Sequence, residues 1–161
     1  MVDNQVDMSG MGFEILVLGA TGTPQEWGRA LQTPASELPV LDAAQRESAR
    51  RRGLPEQEYA RGVLLEQLAE RRWEERGRAL AGVVREILRP LESEQRLIAV
   101  LAEIPSKRWT LRFETRGRLR DVHVAQDLAE DVLTYNAVED REKLRAMLLR
   151  GLDREDLLAQ K

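Results

Sequence analysis

The single histidine of the chain stands among acidic residues, and this group is the first place to look for chemistry. His123 follows Asp121, and Asp127, Glu130 and Asp131 come shortly after it. On a helix the last three would share one face, and carboxylate oxygens are the ligands that hard cations prefer. The alternative is a solvated surface, with the histidine on the outer side of a hairpin and the acids near a helix start. We favour that alternative and predict no metal ion, no cofactor and no catalytic residue.

The composition narrows the possible chemistry further. The 161 residues include no Cys and one His, and 25 Lys and Arg stand against 28 Asp and Glu for a net charge of −3. Without Cys the chain has no disulfide, no thiolate nucleophile and no cysteine ligand for zinc, and one His cannot build a multi-histidine metal site. Catalysis by carboxylates alone stays open. It is not our prediction, because no pattern places two carboxylates around a pocket.

A glycine-rich turn follows the first apolar run. Residues 16–22 read Leu-Val-Leu-Gly-Ala-Thr-Gly, as in a strand entering a turn that cradles a pyrophosphate at a helix N-terminus. The next glycine, Gly28, is out of step with the dinucleotide-binding pattern, and Pro24 interrupts the expected helix. We interpret the segment as an arm or edge strand with a tight turn.

Positive charge collects around a predicted hairpin. Between residues 107 and 120, six cations stand against Glu114 alone for a local charge of +5, whereas residues 121–161 hold ten acids and six bases, or −4. A basic two-stranded ribbon can enter a nucleic-acid groove, but the acidic tail can also neutralise it within the fold. The candidate nucleic-acid contacts here are Lys107, Arg108, Arg116 and Arg118.

Residues 41–65 carry a second pattern that bears on DNA binding. The segment Ala49-x3-Gly53-Leu54-x3-Glu58-Tyr59-Ala60-Arg61-x2-Leu64 resembles the helix–turn–helix part of ribbon-helix-helix antitoxin and repressor proteins. In that family a strand before the first helix pairs in a dimer and reads the major groove, and here residues 36–41, with Pro39, hold its place. The resemblance implies phosphate contacts near Pro55, Glu58 and Arg61 and backbone contacts by Arg50, Arg51 and Arg52. Two helices joined by a glycine turn, without any DNA-binding role, fit the same residues.

The elements that position these residues begin with a possible short strand at 13–18. A proline-containing linker follows up to Pro39, with one helical turn near 25–31. Asp42 predicts the start of a helix over 43–52 that Gly53 ends. A long helix is predicted over about 55–89, because apolar residues recur at helical spacing until Pro90.

The apolar stripe of the long helix exceeds what a domain of this size readily covers. We therefore predict that a partner covers it, most simply a second copy in a dimer, although a different protein would serve as well. The interface residues of this prediction are Tyr59, Val63, Leu68, Trp73, Leu80, Val84 and Ile87.

Strict alternation predicts strands at 108–115 and 118–124 around the turn Arg116-Gly117. This register sets Thr110 opposite His123 and Arg112 opposite Asp121 on a polar face. The apolar face collects Trp109, Leu111, Phe113, Val122 and Val124. Upstream, residues 97–103 are predicted as a short helix. Downstream, helices are predicted over 126–133 and from Asn136 to Arg150, the second ended by Gly151.

Together these elements predict an α+β, predominantly helical fold. It has a long central helix plus a C-terminal two-stranded antiparallel hairpin packed on short helices. The predicted divisions are a flexible N-terminal arm (1–40), a helical region (41–104) and the hairpin with its helices (105–161).

We expect a non-enzymatic, self-associating interaction or scaffold module. The alternative is a small DNA-binding transcriptional regulator or antitoxin-like protein that uses the helices of 42–65 or the basic hairpin 107–120. No signal-peptide pattern and no run of ~18 apolar residues occurs, so we expect a cytoplasmic protein with no membrane contact.

Overall fold

The computed structural model describes residues 13–91 and 95–153. The described strands are β1 (Glu14–Leu18), β2 (Arg96–Glu103), β3 (Arg108–Thr115) and β4 (Arg118–Ala125). The described helices are α1 (Pro24–Gln32), α2 (Ala43–Arg51), α3 (Glu56–Leu88), α4 (Gln126–Tyr135) and α5 (Val138–Asp153). Short 3-10 turns cover Ala35–Glu37 and Arg89–Leu91. The first twelve residues of the predicted arm lie outside this description.

The chain divides into two compact units. One unit comprises Ala20–Trp73, and therefore holds α1, α2 and the first part of α3. The other unit holds the four strands, the rest of α3, and α4 and α5.

The sheet has four strands, so the predicted two-stranded hairpin fold is wrong. Its strand order is β1-β2-β3-β4, with β1 parallel to β2 and the remaining pairs antiparallel. The predicted register of the β3–β4 hairpin is confirmed, since Thr110 pairs with His123 and Arg112 with Asp121. The fold is α+β with a mixed sheet.

Residues 97–103 are predicted to form a short helix, but they belong to β2. This wrong prediction is the reason that the strand count differs. Four residues of this strand are buried: Leu97, Ala99, Val100 and Ala102. Because Ala99 and Val100 are neighbours, the buried positions do not alternate strictly. Residues 97–102 are all apolar, and a short apolar run without alternation cannot be distinguished from a buried helix by periodicity. Leu and Ala, which are good helix formers, add to the ambiguity.

The core of the sheet unit lies on one face of the sheet. Trp109, Leu111 and Phe113 of β3 are fully buried there, and so are Leu144 and Leu148 of α5. A methyl group on Gly77 of α3 would lie 3.2 Å from Cγ2 of Ile15 and 3.4 Å from Cζ3 of Trp109. Helix α3 therefore packs closely on β1 and β3, and a small residue at position 77 permits this approach.

The second part of the predicted helix stripe is used by the fold itself. Leu80 and Val84 are fully buried, and Trp73 and Ile87 are almost so. Tyr59, Val63 and Leu68 are half-buried. The long helix thus covers much of its apolar stripe inside the chain, and its buried positions offer no surface to a second copy.

Capping explains the helices of the Ala20–Trp73 unit. The predicted start at Asp42 is confirmed, because its side chain accepts the Gln45 N–H and Gln45 returns a bond to the Asp42 N–H. Gly53 has the left-handed φ of +66° that ends α2. In place of a single turn near 25–31, Thr23 and Glu26 form another capping box for the nine-residue α1. No strand forms over residues 36–41, where the ribbon-helix-helix resemblance required one.

The boundary between α4 and α5 differs from the prediction. Asn136 was expected to start the second helix, but it ends α4 in a left-handed conformation with φ of +50°. Helix α5 starts at Val138 and continues through Gly151 to Asp153. A methyl group on Gly151 would lie 2.7 Å from Cγ2 of the buried Val122. Gly151 therefore serves close packing of α5 on β4 and does not end the helix.

Two glycine-to-alanine substitutions should change stability in opposite directions. Gly82→Ala meets open space on α3 and should raise the free energy of unfolding by about 0.5–1 kcal/mol. Gly151→Ala should lower it by about 1–3 kcal/mol, because the added methyl overpacks against Val122. Urea denaturation of both variants checks this, and a stabilised Gly151→Ala protein would contradict the packing of α5 on β4.

Candidate functional site

The polar face of the sheet is the side opposite its core, and it contains the only histidine of the chain. We define it by Glu103, Arg108, Thr110, Arg112, Asp121 and His123. Thr110 Oγ1 lies 2.7 Å from Glu103 Oε1 and 2.9 Å from His123 Nδ1. The threonine is buried and the histidine is exposed. Three strands thus contribute one side chain each to a hydrogen-bonded row.

The direction of the hydrogen bonds follows from the number of protons. A hydroxyl has one proton, and Thr110 donates it to the Glu103 carboxylate. His123 Nδ1 must then be the donor to Thr110 Oγ1. In the neutral ring this arrangement leaves Nε2 as a hydrogen-bond acceptor.

Two carboxylates on this face are held in their charged form. Arg112 donates from Nε and Nη2 to the two oxygens of Asp121, each at 2.8 Å, and this lowers the pKa of Asp121 and raises that of Arg112. The pKa of Glu103 is lowered by the hydrogen bond from Thr110 and then by that from Arg108.

The acidic group proposed around His123 does not assemble as a cation site. Arg76 Nε donates to Glu130 Oε1 at 2.8 Å, and the pair forms a salt bridge. Within residues 13–91 and 95–153, no three His, Cys, Asp or Glu side chains come together in a way that could hold a metal ion. Asp127 and Asp131 are exposed on α4.

The glycine-rich turn serves packing and a helix cap. Gly19 has a φ of +73°, and a methyl group there would lie 2.9 Å from Pro105. A methyl group on Gly22 would lie 2.4 Å from Leu65 Cδ1. Gly19 is thus favoured by its backbone conformation and by the Pro105 ring, and Gly22 leaves space that the Leu65 side chain occupies.

The position where an anion would sit at the start of α1 is already filled. Glu26 Oε2 accepts the Thr23 N–H at 2.8 Å, and Glu26 Oε1 pairs with Arg72 Nε at 3.1 Å. Arg72 also donates to the Thr21 carbonyl at 2.7 Å. A carboxylate of the chain itself therefore takes the place of a phosphate at this helix N-terminus.

Several cations predicted to contact nucleic acid make contacts within the chain. Arg61 Nη1 contacts the carbonyl oxygens of Ala30, Leu31 and Thr33 at 2.8–3.0 Å, and so satisfies the C-terminal end of α1. Arg108 pairs with Glu103. Arg51 pairs with Glu47, and Arg52 lies over the ring of Tyr59.

The remaining cations of that prediction lie on the surface. Arg50, Lys107, Arg116 and Arg118 are all exposed. Lys107 and Arg116 occupy turns with positive φ, on either side of β3. A further cation of the hairpin, Arg120, donates to the carbonyl of Leu152. Nucleic-acid binding by the exposed residues stays a prediction.

An open strand edge is the feature that the sequence reasoning did not identify as a site. β1 is the first strand of the sheet, and among residues 13–91 and 95–153 it pairs on one side only, with β2. Leu16 and Leu18 are 40% and 55% exposed. The strand carries one charge, Glu14, and no proline. Edge strands usually carry charges, prolines or bulges that block pairing with another chain, so the absence of such residues from 15–18 was the available signal.

A cleft lies on α1 and the turn after it. It encloses about 500 Å³ and is lined by Gln25, Gly28, Arg29, Gln32, Thr33, Pro34 and Glu37. None of these residues belongs to the polar face.

Comparisons with protein families, with curated proteins and with solved structures gave no match to this chain. Among the described helices, none combines the length and the apolar character needed to cross a membrane.

The ion pair of Asp121 should make stability depend on pH. A carboxyl group whose pKa is lower in the folded chain stabilises the fold above its unfolded pKa, and this contribution is lost as the pH falls. We therefore expect the thermal midpoint to fall between about pH 5 and pH 3, and Asp121→Asn to fall less over that range. The pair is about one-third exposed, so its contribution should be below about 1 kcal/mol.

Circular dichroism at a series of pH values measures this dependence. Arg112→Gln should reduce the slope as Asp121→Asn does, and the double variant should add nothing. An unchanged slope in Asp121→Asn would refute the assignment.

Arg61 should matter for stability because it holds the end of α1. Arg61→Gln should lower the free energy of unfolding by about 1–3 kcal/mol, since hydrogen bonds from a charged donor are lost. The matched control Arg50→Gln changes an exposed residue of α2 and should shift stability by less than about 0.5 kcal/mol. Equal effects in chemical denaturation would rule out the capping role.

Proposed function

We propose that this protein is a non-catalytic interaction module that associates with a second copy of itself through the open edge of its sheet. The observation that carries the proposal is β1, an edge strand with two exposed leucines, Leu16 and Leu18. Exposed edges of this kind pair with strands of other chains. The proposal moves the expected self-association from the stripe of α3, which is largely buried, to β1.

Several contacts support a role without catalysis. The hydrogen-bonded row of Glu103, Thr110 and His123 lies on strands, at an exposed face, and its carboxylate is tied to Arg108. The cleft on α1 contributes no residue to this row. The row therefore stiffens the pairing of β2, β3 and β4 on the polar face, which keeps the edge strand on a rigid support. A cytoplasmic location is part of the proposal, since the chain has no Cys and needs no oxidising compartment.

The mass of the protein in solution tests the proposal. A five-residue strand buries a small area, and interfaces of small area are weak and transient. We expect the mass measured by light scattering to rise from monomer toward dimer as the concentration increases from micromolar to near-millimolar. A constant monomer mass over that range would refute self-association.

Matched variants locate the interface. Leu16→Asp places a charge on the open edge and should weaken dimerisation by about tenfold or more, because it removes apolar burial worth more than 1.4 kcal/mol. Leu119→Asp changes a leucine of β4 that is 61% exposed, on the strand at the other edge of the sheet, and should leave the dimer unchanged. Equal weakening by both variants would place the interface away from β1. Loss of association in high salt together with salt-dependent DNA binding would favour the alternative regulator instead.

A further inference from the structure

The backbone of β1 has a defined set of groups that point away from the sheet. The Leu18 carbonyl accepts a hydrogen bond from the Ile104 N–H at 3.1 Å, directly after β2. In a parallel ladder alternate residues direct both N–H and C=O toward the partner strand. The backbone N–H and C=O groups of Glu14, Leu16 and Leu18 therefore point toward β2. Those of Ile15 and Val17 point to the open edge.

These outward groups complement themselves in one antiparallel register. When Leu16 of one copy lies opposite Leu16 of the other, each Ile15 lies opposite a Val17. Both residues of such a pair have outward N–H and C=O groups, so the pair exchanges two hydrogen bonds. The arrangement has two-fold symmetry and forms four hydrogen bonds between the copies, with no outward group of Ile15 or Val17 left over.

The side chains agree with this register. Leu16 and Leu18 share the polar face, and the register sets Leu16 against its own copy at the closest spacing in an antiparallel pair, about 4.5 Å between Cα atoms. Leu18 lies opposite Glu14 of the other copy, beside the carbon chain of that residue. The two Glu14 carboxylates stand about four residues apart along the pair, or roughly 13 Å, so they repel each other weakly.

We propose that two copies pair antiparallel through β1, with Leu16 on the two-fold axis, to form one continuous eight-stranded sheet. This inference rests on the proposed function and specifies how it is achieved. A shift of the register by one residue would place an inward-directed residue opposite an outward-directed one and lose the hydrogen bonds. A shift by two residues would leave the outward groups of Ile15 or Val17 without a partner inside β1, so one antiparallel register pairs all of them.

Disulfide cross-linking tests the register, and the chain contains no Cys to interfere. Leu16→Cys brings two thiols together on the axis, within the Cα separation of about 4.4–6.8 Å that a disulfide needs. Under mild oxidation, its main band on a non-reducing gel should shift from monomer to dimer mass. Leu18→Cys is the matched control, because its two copies lie roughly 13 Å apart and cannot be bridged. A mixture of Glu14→Cys and Leu18→Cys should cross-link again.

The outcomes separate this inference from the proposed function. Dimer by light scattering without a cross-link in Leu16→Cys would overturn the register and leave self-association standing. Monomer by light scattering without any cross-link would overturn both. Equal cross-linking of Leu16→Cys and Leu18→Cys would also overturn the register, since it indicates random collision.

A proline substitution tests the hydrogen bonds alone. The Val17 N–H points to the open edge, so Val17→Pro removes a donor to the second copy and leaves the donors toward β2 in place. We expect a folded monomer, judged by circular dichroism and light scattering. Val17→Ala is the control for the lost side chain and should still dimerise. A dimeric Val17→Pro protein would overturn the pairing.

Discussion

Hydrogen bonding on both sides of β2 is the constraint on which the sheet unit depends. The strand pairs in parallel with β1 and antiparallel with β3, and its residues 97–102 are all apolar. Its two charged residues stand at its ends, where Arg96 pairs with Glu114 and Glu103 pairs with Arg108. The row from Glu103 through Thr110 to His123 starts from one of these ends. The polar side chains of β2 thus lie only at its ends, and Glu103 begins the hydrogen-bonded row of the polar face.

Two of the six cations of the hairpin segment 107–120 are neutralised by acids of neighbouring strands. Counting along the sequence gives a strongly basic ribbon followed by an acidic tail, which suggests attraction between the two. In the fold, Arg112 is neutralised by Asp121 directly across the β3–β4 pair, and Arg108 by Glu103 at the end of β2. Local cross-strand pairs of this kind contribute to sheet stability, and they reduce the charge that is left for an external anion.

The hairpin could be predicted from sequence and β2 could not, for a shared reason. Apolar and polar residues alternate along a strand when one of its faces is exposed to solvent, as in β3 and β4. In this hairpin the turn Arg116-Gly117 also determines the register. Residues 97–102 of β2 are all apolar and show no alternation. The prediction therefore placed His123 opposite Thr110 correctly but missed Glu103, which completes the row. The spacing of Gly19 and Gly22 likewise resembles a nucleotide-binding pattern. In the structure these glycines lie against Pro105 and Leu65, and the sequence alone does not show those contacts.

The parallel pairing of β1 with β2 has a consequence for how the chain folds. Glu14 and Ala99 are partners across about 85 residues of sequence, whereas β2, β3 and β4 are joined by short turns. Closing a long loop costs more conformational entropy than closing a turn, so we expect β2, β3 and β4 to pair before β1 joins them. Until β1 arrives, the edge of β2 is exposed with its apolar side chains. We therefore expect the last contact to form to be the one that pairs the apolar edge of β2, so slow folding of the segment between the two strands would prolong the exposure of that edge to aggregation.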